Sequence, residues 1–326
     1  MVSVIIPAYN EQQTIPLAAD AIERVLGKTI PYELIFVDDG SADDTWECIR
    51  CQSQRNSRVS GIHFSRNFGK DSAILAGLKY AKGDCCVIMD CDLQHPPETI
   101  LDMVRLWEQG YEVVEGVKED RGEERKTHEL ASRLFYRLIS KAMGVDMRGS
   151  SDFKLLDRSV VDTLNSMPEQ NAFFRALSYW VGYRRTSVAY RVKERAAGES
   201  KWSVGALIRY ALKNIASFST APLHIVTMLG YLMLIVSVVF GTVALCQKFN
   251  GTALGGFTTV IIIQLFSSSI LMISLGIIGS YIAKIYQECQ RRPRYVVAKT
   301  CHMEGEIVSE IGSEDNKKLC GGEKTS

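Results

Sequence analysis

The stretch VSVIIPAYNE occupies residues 2–11, and its apolar first half predicts a buried β-strand. Apolar residues with helical spacing follow at 14–26 and stop at Gly27. Further strands are predicted at 33–37, 59–65, 85–89 and 111–116, with helical patterns between them. Short, nearly continuous apolar strands separated by amphipathic helices are typical of a parallel sheet that is covered on both faces. The sequence therefore predicts a doubly wound, mostly parallel, Rossmann-like α/β sheet.

The pattern becomes less regular after residue 120. A helix is predicted at 129–143. The remaining elements are a strand at 153–156, helices at 158–166 and 173–181, and a strand at 186–192. We therefore expect one α/β domain over residues 1–200.

The charge of the chain is distributed unevenly. The 326 residues include 38 Lys and Arg against 37 Asp and Glu, so the formal net charge is +1. A nearly neutral balance argues against a nucleic-acid-binding protein, because such domains usually carry a basic excess. Between Lys213 and Lys284 the only other Asp, Glu, Lys or Arg is Lys248. This asymmetry predicts a soluble domain joined to a membrane domain.

Two long apolar segments, residues 223–246 and 257–283, contain no Asp, Glu, Lys or Arg. Each reaches the length of about 20 residues that a membrane-spanning helix needs, and together they predict a transmembrane hairpin within residues 222–286. Residues 201–221 have an apolar face and a basic edge, which predicts an amphipathic helix at the membrane interface, with packing on the sheet as the alternative. The polar residues 287–326 are expected to form a partly disordered tail.

Basic residues near the ends of the two spans set their expected orientation. Arg209 and Lys213 precede the first span, and only Lys248 lies between the spans. The second span is followed by Lys284, Arg291, Arg292, Arg294 and Lys299. Because Lys and Arg are enriched on the cytoplasmic side, we expect a multi-pass protein of the cell membrane whose soluble domain and two termini are cytoplasmic. The small residues Gly276 and Gly279 on the second span also permit a homo-oligomer through the transmembrane helices.

A pair of carboxylates in D-x-D spacing, Asp90 and Asp92, follows the strand predicted at 85–89. The carboxyl ends of parallel strands meet at one edge of a sheet, where ligands bind. Oxygen ligands in this arrangement suit Mg²⁺ or Mn²⁺, which usually also bind the phosphates of a substrate. The sequence therefore predicts a divalent cation at this edge, with Gln94 as a further oxygen ligand.

A second acidic pair, Asp38 and Asp39, follows the strand predicted at 33–37. Acidic residues at this position accept hydrogen bonds from a base or a ribose in dinucleotide folds. The sequence lacks a G-x-G-x-x-G motif after the first strand, a G-x-x-x-x-G-K-[ST] loop and a G-x-S-x-G elbow. These absences argue against nicotinamide binding, P-loop chemistry and Ser-His-Asp hydrolysis.

The motifs resemble those of a known family. VSVIIPAYNE at 2–11, VDDGS at 37–41 and DCDLQHPP at 90–97 resemble motifs of the family 2 glycosyltransferases, which have the GT-A fold. SDFKLLDR at 151–158 and RAAGESKW at 195–202 resemble the branch that glycosylates polyprenyl phosphates. That branch includes the dolichyl-phosphate mannose synthases and the bactoprenol glucosyltransferases.

The resemblance implies a role for each residue that matches a motif. The expected nucleotide-sugar-binding residues are Pro7, Tyr9, Glu11, Asp38, Asp39 and Asp90. The expected ligands of Mg²⁺ or Mn²⁺ are Asp90, Asp92 and Gln94. The expected acceptor-phosphate-binding residues are Lys118, Arg121, Ser132 and Lys201. The expected catalytic residues are Asp92 and Asp152, the latter near the reacting centre as a candidate base.

The resemblance further implies a metal-dependent, inverting hexosyltransferase. It would move a sugar from a nucleotide-diphosphate donor, UDP-glucose first and GDP-mannose second, to a polyprenyl phosphate at the cytoplasmic membrane face. Because a phosphate acceptor is already anionic, it needs cations that place it more than it needs a strong base. The alternatives are a glycosyltransferase that acts on a different membrane lipid and a non-catalytic, membrane-tethered partner that binds a nucleotide sugar.

Overall fold

The computed structural model describes residues 1–119, 150–169, 173–191, 221–250 and 257–303. Elements are numbered along these residues. The helix predicted at 129–143, residues 201–220 of the predicted interface helix and residues 304–326 lie outside the described residues. The chain divides into two compact units, of which one contains the described strands and the other contains two long apolar helices.

The first unit alternates strands and helices. Its strands are β1 (Val2–Ala8), β2 (Tyr32–Asp38), β3 (Val59–Phe64), β4 (Cys85–Ile88), β5 (Val113–Lys118), β6 (Lys154–Asp157), β7 (Arg185–Tyr190) and β8 (Val297–Cys301). Its helices are α1 (Thr14–Leu26), α2 (Thr45–Arg55), α3 (Lys70–Tyr80), α4 (Thr99–Glu108), α5 (Arg158–Ser166) and α6 (Phe174–Trp180). The predicted α/β class is confirmed, with small shifts at the ends of elements.

The strands form one eight-stranded sheet in the order β7-β5-β6-β4-β1-β2-β3-β8. The central strand β1 pairs in parallel with β2 and β4, β3 continues in parallel from β2, and β7 is parallel to β5. In contrast, β6 and β8 run antiparallel to their neighbours. The sheet is therefore more mixed than the sequence pattern indicates, because the crossover rule fixes direction only in strand–helix–strand units.

The register of β1 determines where the loops leave the sheet. Ala8 is level with Asp38 on β2, and Ile5 is level with Ile88 on β4. The ladder extends past the end of β2, where the Asp39 amide donates to the Ala8 carbonyl oxygen at 2.9 Å. The loops that follow β1, β2 and β4 therefore emerge at one edge, as predicted.

Both faces of the central strands are buried. On one face, Val4 belongs to the same apolar cluster as Ile15 and Ile22 of α1. On the other face, Ile5 lies so close to Gly77 of α3 that a Cβ atom at Gly77 would overlap it. This close approach holds α3 directly on β1, and the first residue of α3 consequently lies near the sheet edge where the loops emerge.

The outer strand β8 is not predicted from the sequence. It has no continuous apolar run, and Lys299 within it is exposed. It pairs antiparallel with β3, and just before it the Tyr295 ring stacks on Phe64 with centroids 5.0 Å apart. Part of the polar segment at 287–326 thus completes the sheet.

The second unit contains α7 (Ala221–Phe249) and α8 (Phe257–Cys289), which contact each other. Their most apolar windows, Val226–Val243 and Phe266–Cys289, have mean hydropathies of 2.2 and 1.7, and none of either window is buried within the chain. Both helices are therefore long and apolar enough to cross a membrane, in agreement with the predicted hairpin.

Gly116 of β5 provides a test of the packing. A Cβ atom there would lie 2.5 Å from Cδ1 of Phe153 and 3.1 Å from Cε1 of Tyr190. Because Phe153 is fully buried, we expect Gly116→Ala to lower the free energy of unfolding by about 1–3 kcal/mol. Chemical unfolding of the full chain in detergent measures this change. Ser187→Ala, at an exposed position of β7, should change it by less than about 0.5 kcal/mol, and equal stability of the two variants would contradict the packing.

Candidate active site

The loops that follow β1 and β2 are joined by hydrogen bonds. The Asn10 amide donates to the Ser41 hydroxyl at 2.8 Å, and the Ala42 amide donates to the Asn10 side-chain oxygen at 3.0 Å. The Glu11 amide donates to Oγ1 of Thr45 at 2.8 Å. Asn10 has a φ of 56°, a left-handed conformation that asparagine adopts more readily than most residues. The two loops therefore form one cross-linked rim at the sheet edge.

Three residues predicted to contact a nucleotide lie in or just after β1. Pro7 is half-buried in the strand, whereas Tyr9 just beyond it is 48% exposed. The Glu11 carboxylate accepts a hydrogen bond from the Thr14 hydroxyl at 2.6 Å. Tyr9 thus offers an aromatic surface to solvent, while Glu11 is held against the start of α1.

Asp38 is fully buried behind this rim. One of its oxygens accepts a hydrogen bond from the Ser41 amide at 3.0 Å, and the other lies 2.7 Å from Nδ1 of His63. The carboxylate therefore orients the loop and His63, which the sequence analysis does not single out. A contact between Asp38 and a nucleotide base stays a prediction.

Asp39 holds the segment that leads into α3. Its two oxygens accept hydrogen bonds from the amides of Phe68 at 2.7 Å and Gly69 at 2.9 Å. Burial raises the pKa of Asp39, and the two amide hydrogen bonds only partly offset this. Gly69 has a φ of 98°, a conformation that favours glycine. Asp39 therefore fixes the backbone next to Lys70, and its contact with a nucleotide stays a prediction.

The D-x-D motif follows β4 with its middle side chain turned inward. Cys91 is buried, with its Sγ atom 3.2 Å from Oγ1 of Thr14. Asp90 and Asp92 on either side are only half-buried. An oxygen of Asp92 also accepts a hydrogen bond from the Gln94 amide at 3.1 Å. The burial of Cys91 therefore leaves the two carboxylates accessible at the sheet edge.

His95 supports the backbone of this motif. Its Nδ1 atom accepts a hydrogen bond from the Asp90 amide at 3.3 Å. Its ring is buried and stacks on Phe153, with centroids 4.7 Å apart and an interplanar angle of 11°. Burial lowers the pKa of His95, which favours the neutral ring that accepts this bond.

Lys70, the first residue of α3, joins the D-x-D motif to Asp152. Its ammonium nitrogen lies 2.6 Å from Oδ1 of Asp90 and 3.0 Å from Oδ2 of Asp152. Burial opposes the charge on Lys70, but the two carboxylates outweigh it and raise the pKa of Lys70. The same ammonium outweighs the effect of burial on Asp90 and lowers the pKa of that carboxyl. Two predicted site residues are thus brought together by a cation that the sequence analysis misses.

Arg175 of α6 provides the second cation at Asp152. Its Nε atom donates to Oδ1 at 2.9 Å and its Nη2 atom donates to Oδ2 at 2.7 Å, a bidentate pair. Burial alone would raise the pKa of Asp152, but Lys70 and Arg175 together hold it well below its usual range. Asp152 is therefore poorly suited to accept a proton.

A buried network holds the segment that carries Asp152. Oε1 of Glu115 accepts a hydrogen bond from the Ser151 amide at 2.8 Å and lies 3.3 Å from the ammonium of Lys154. The ammonium also donates to the Ser178 hydroxyl at 2.7 Å. Burial lowers the pKa of Lys154 to about 8 despite the nearby Glu115. These contacts fix the backbone next to Asp152.

The chemistry of these residues fits a divalent cation that is shared with a substrate. Among the described residues, no three His, Cys, Asp or Glu side chains form a metal-ligand group. Asp90 and Asp92 nevertheless provide carboxylate oxygens that could act as metal ligands. Asp90 already binds one positively charged group, the Lys70 ammonium. Mg²⁺ typically binds one or two protein carboxylates together with substrate phosphates. The half-buried Gln94 stays a predicted further ligand.

The residues predicted to bind an acceptor phosphate are mostly not described. Lys118 is exposed at the carboxyl end of β5, whereas Arg121, Ser132 and Lys201 lie outside the described residues. Because β6 is antiparallel to both β4 and β5, those two strands run in the same direction. Lys118 therefore ends its strand at the same sheet edge as the D-x-D motif.

Comparison with known proteins finds a glycosyl transferase family and relatives that are named as glycosyltransferases. The model of the glycosyl transferase family 2 matches residues 3–164. The uncharacterized glycosyltransferase YkcC of Bacillus subtilis is 39% identical over 305 residues, which cover 93% of this chain and 94% of YkcC. The prophage bactoprenol glucosyl transferase homolog of Escherichia coli is 33% identical over 301 residues, which cover 91% of this chain and 98% of that protein.

A solved structure is also similar, at a lower sequence identity. It is glucosyl-3-phosphoglycerate synthase from Mycobacterium tuberculosis, crystallised with Mn²⁺, UDP-glucose and phosphoglyceric acid. It is 19% identical, with a TM-score of 0.48, and the match covers 67% of this chain and 78% of that chain.

The charge of Asp71, next to Lys70, gives a prediction on pH dependence. Its Oδ1 atom accepts a hydrogen bond from the Phe174 amide at 3.0 Å. Burial and the nearby Asp152 raise the pKa of Asp71 from 3.8 to about 6. Between these two pH values the Asp71 carboxyl is mostly ionised in the unfolded chain but still protonated in the folded protein. Folding then requires proton uptake, so the free energy of unfolding decreases as the pH rises.

We therefore expect Asp71→Asn, which keeps an acceptor for the Phe174 amide, to match the wild type in stability at pH 4. At pH 7.5 the variant should be more stable by up to about 3 kcal/mol, because it avoids burying a charge. Unfolding of both proteins across this pH range measures the difference. Asp20→Asn, at an exposed position of α1, is the control, and a stability difference for Asp71→Asn that does not vary with pH would contradict the argument.

Proposed function

The chain belongs to glycosyl transferase family 2, and we propose that it transfers a sugar from a nucleotide-diphosphate donor to a polyprenyl phosphate. The bactoprenol glucosyl transferase homolog among its relatives supports a polyprenyl acceptor and favours glucose as the sugar. UDP-glucose is accordingly the first donor to test and GDP-mannose the second. One observation in the structure carries the proposal: the carboxylates of Asp90 and Asp92 lie at the edge where the parallel strands end, and Lys70 joins Asp90 there to Asp152.

The donor would bind at the rim formed by the loops after β1, β2 and β4. Pro7, Tyr9 and Glu11 would line the nucleotide pocket, with the acidic pair after β2 behind them. Asp90 and Asp92, with Gln94, would hold Mg²⁺ or Mn²⁺ on the donor diphosphate. That cation would neutralise the negative charge that develops on the leaving nucleoside diphosphate.

The acceptor phosphate would attack without a strong base. A phosphate oxygen is already anionic at neutral pH, so placement by cations contributes more than proton removal. The two ion pairs of Asp152 agree with this, because a carboxylate with a strongly lowered pKa is a weak proton acceptor. We therefore assign Asp152 the task of orienting Lys70 and Arg175 near the reacting centre, in place of the base role that the family resemblance implies. The positively charged members of the acceptor set would be Lys118, Arg121 and Lys201, with Ser132 as a hydroxyl donor.

The order of elements in the chain supports a topology in which both ends of the described chain lie on one side of the membrane. Strands β1 to β7 precede α7 and α8, and β8 follows them in the same sheet. Parts of one sheet must lie on one side of a membrane, and two spans return the chain to the side from which it left. We propose that this side is the cytoplasm, because Lys and Arg that flank the spans are typical of the cytoplasmic side.

A panel of donors and acceptors tests the proposed reaction on the full chain in detergent with Mg²⁺ or Mn²⁺. We expect transfer from labelled UDP-glucose or GDP-mannose to undecaprenyl phosphate, and none to undecaprenol, which lacks the phosphate. Transfer to diacylglycerol or ceramide instead would favour an enzyme that acts on another lipid. Binding of a nucleotide sugar without transfer to any acceptor would favour the non-catalytic alternative.

Asp92→Asn tests the role of the D-x-D motif. Replacing one charged oxygen ligand should lower turnover by about 100-fold or more, because the metal contributes several kcal/mol of charge stabilisation in such reactions. Asp102→Asn, at an exposed carboxylate of α4 that pairs with Arg105, should retain wild-type turnover. Undiminished turnover of a folded Asp92→Asn protein would remove Asp92 from the proposed site.

A further inference from the structure

The Lys70 ammonium pairs with the carboxylate that is proposed to bind the metal. Its nitrogen is 2.6 Å from Oδ1 of Asp90, a short charge-assisted contact. The backbone next to Lys70 is fixed, because Asp39 binds the amides of the two preceding residues. The Lys70 side chain, although 42% exposed, therefore extends from a fixed backbone position and contacts two carboxylates at once.

A divalent cation on Asp90 would meet a positive charge already at that carboxylate. Two cations that share one carboxylate repel each other, which weakens the binding of the second. A bound diphosphate would add negative charge at the same place and attract both cations. The strength of metal binding should therefore depend on whether the nucleotide is present.

Lys70 also has a second anionic partner that can hold it. Its ammonium lies 3.0 Å from Oδ2 of Asp152, whose carboxylate is fixed by the bidentate Arg175. An ammonium that leaves Asp90 can thus keep one ion pair and stay beside the donor site. This second contact lowers the cost of releasing Asp90.

We propose that Lys70 is a positioning residue that couples the binding of the divalent cation to the binding of the nucleotide diphosphate. Without nucleotide, its ammonium competes with the metal for Asp90. With nucleotide, the diphosphate compensates the charge of both cations, and metal and nucleotide strengthen each other's binding. The inference rests on the proposed function, since it takes Asp90 as a metal ligand and a nucleotide diphosphate as the donor.

Binding of Mn²⁺ to the full chain in detergent tests the coupling directly. Electron paramagnetic resonance measures free Mn²⁺, first without nucleotide and then with saturating UDP, or with GDP if UDP does not bind. We expect the wild type to bind Mn²⁺ weakly alone and more tightly with nucleotide. Lys70→Met should bind Mn²⁺ alone about tenfold more tightly than the wild type, because the competing charge-assisted contact is gone. The gain that nucleotide adds should be correspondingly smaller in this variant.

Two further variants separate competition from a structural role. Lys79→Met, at an exposed position near the other end of α3, should bind Mn²⁺ as the wild type does. Lys70→Arg keeps the positive charge and should bind Mn²⁺ alone as weakly as the wild type. Equal or weaker Mn²⁺ binding by Lys70→Met would overturn the inference, and so would tight binding by Lys70→Arg.

The result of the Mn²⁺ titrations can be distinguished from the result of the sugar-transfer assay. If the wild type transfers no sugar to any lipid phosphate, the proposed function fails, whereas the Mn²⁺ titrations still decide the role of Lys70. If transfer occurs and Lys70→Met shows no gain in Mn²⁺ affinity, the function stands and the coupling by Lys70 is refuted.

Discussion

The parallel pairing of β1 with β2 and β4 is the constraint on which the candidate site depends. Parallel strands in register end together, so the loops after these three strands meet at one edge of the sheet. That edge gathers the acidic residues Asp38, Asp39, Asp90 and Asp92, which lie up to 54 residues apart in the sequence. The apolar packing of α3 on β1 adds Lys70 to the same edge. The candidate site of this family 2 glycosyltransferase is thus a consequence of how its central strands pair.

Acidic side chains gathered in this way would repel one another if they had no cations between them. The structure places Lys70 between Asp90 and Asp152, and Arg175 also pairs with Asp152. Lys70 lowers the pKa of Asp90, and Lys70 and Arg175 together lower that of Asp152, which keeps these two carboxyls in the ionised form. Asp71 shows the opposite case, because burial raises its pKa to about 6. The buried Asp71 carboxyl therefore lowers the stability of the folded protein at neutral pH, and destabilising groups near active sites are common in enzymes.

The carboxylates of the candidate site can be predicted from the sequence, whereas the cationic side chains that pair with them cannot. Asp90 and Asp92 are predictable because they follow an apolar strand in an alternating pattern, and that pattern fixes the edge at which they lie. Lys70 gives no such signal, although its position after β3 at the start of a helix belongs to the same edge. Arg175 lies within a short helix, and only the three-dimensional fold brings it to Asp152. The edge strand β8 is missed for a similar reason, since its pairing depends on β3 rather than on its own apolar content.

A crystal structure of the full chain grown with Mn²⁺ and UDP, with data collected at the manganese absorption edge, tests the central claim most directly. The account predicts an anomalous peak in contact with the carboxylates of Asp90 and Asp92 and with the diphosphate, with the Lys70 ammonium no longer on Asp90. A manganese peak elsewhere, or a UDP diphosphate bound away from the ends of β1, β2 and β4, would contradict it.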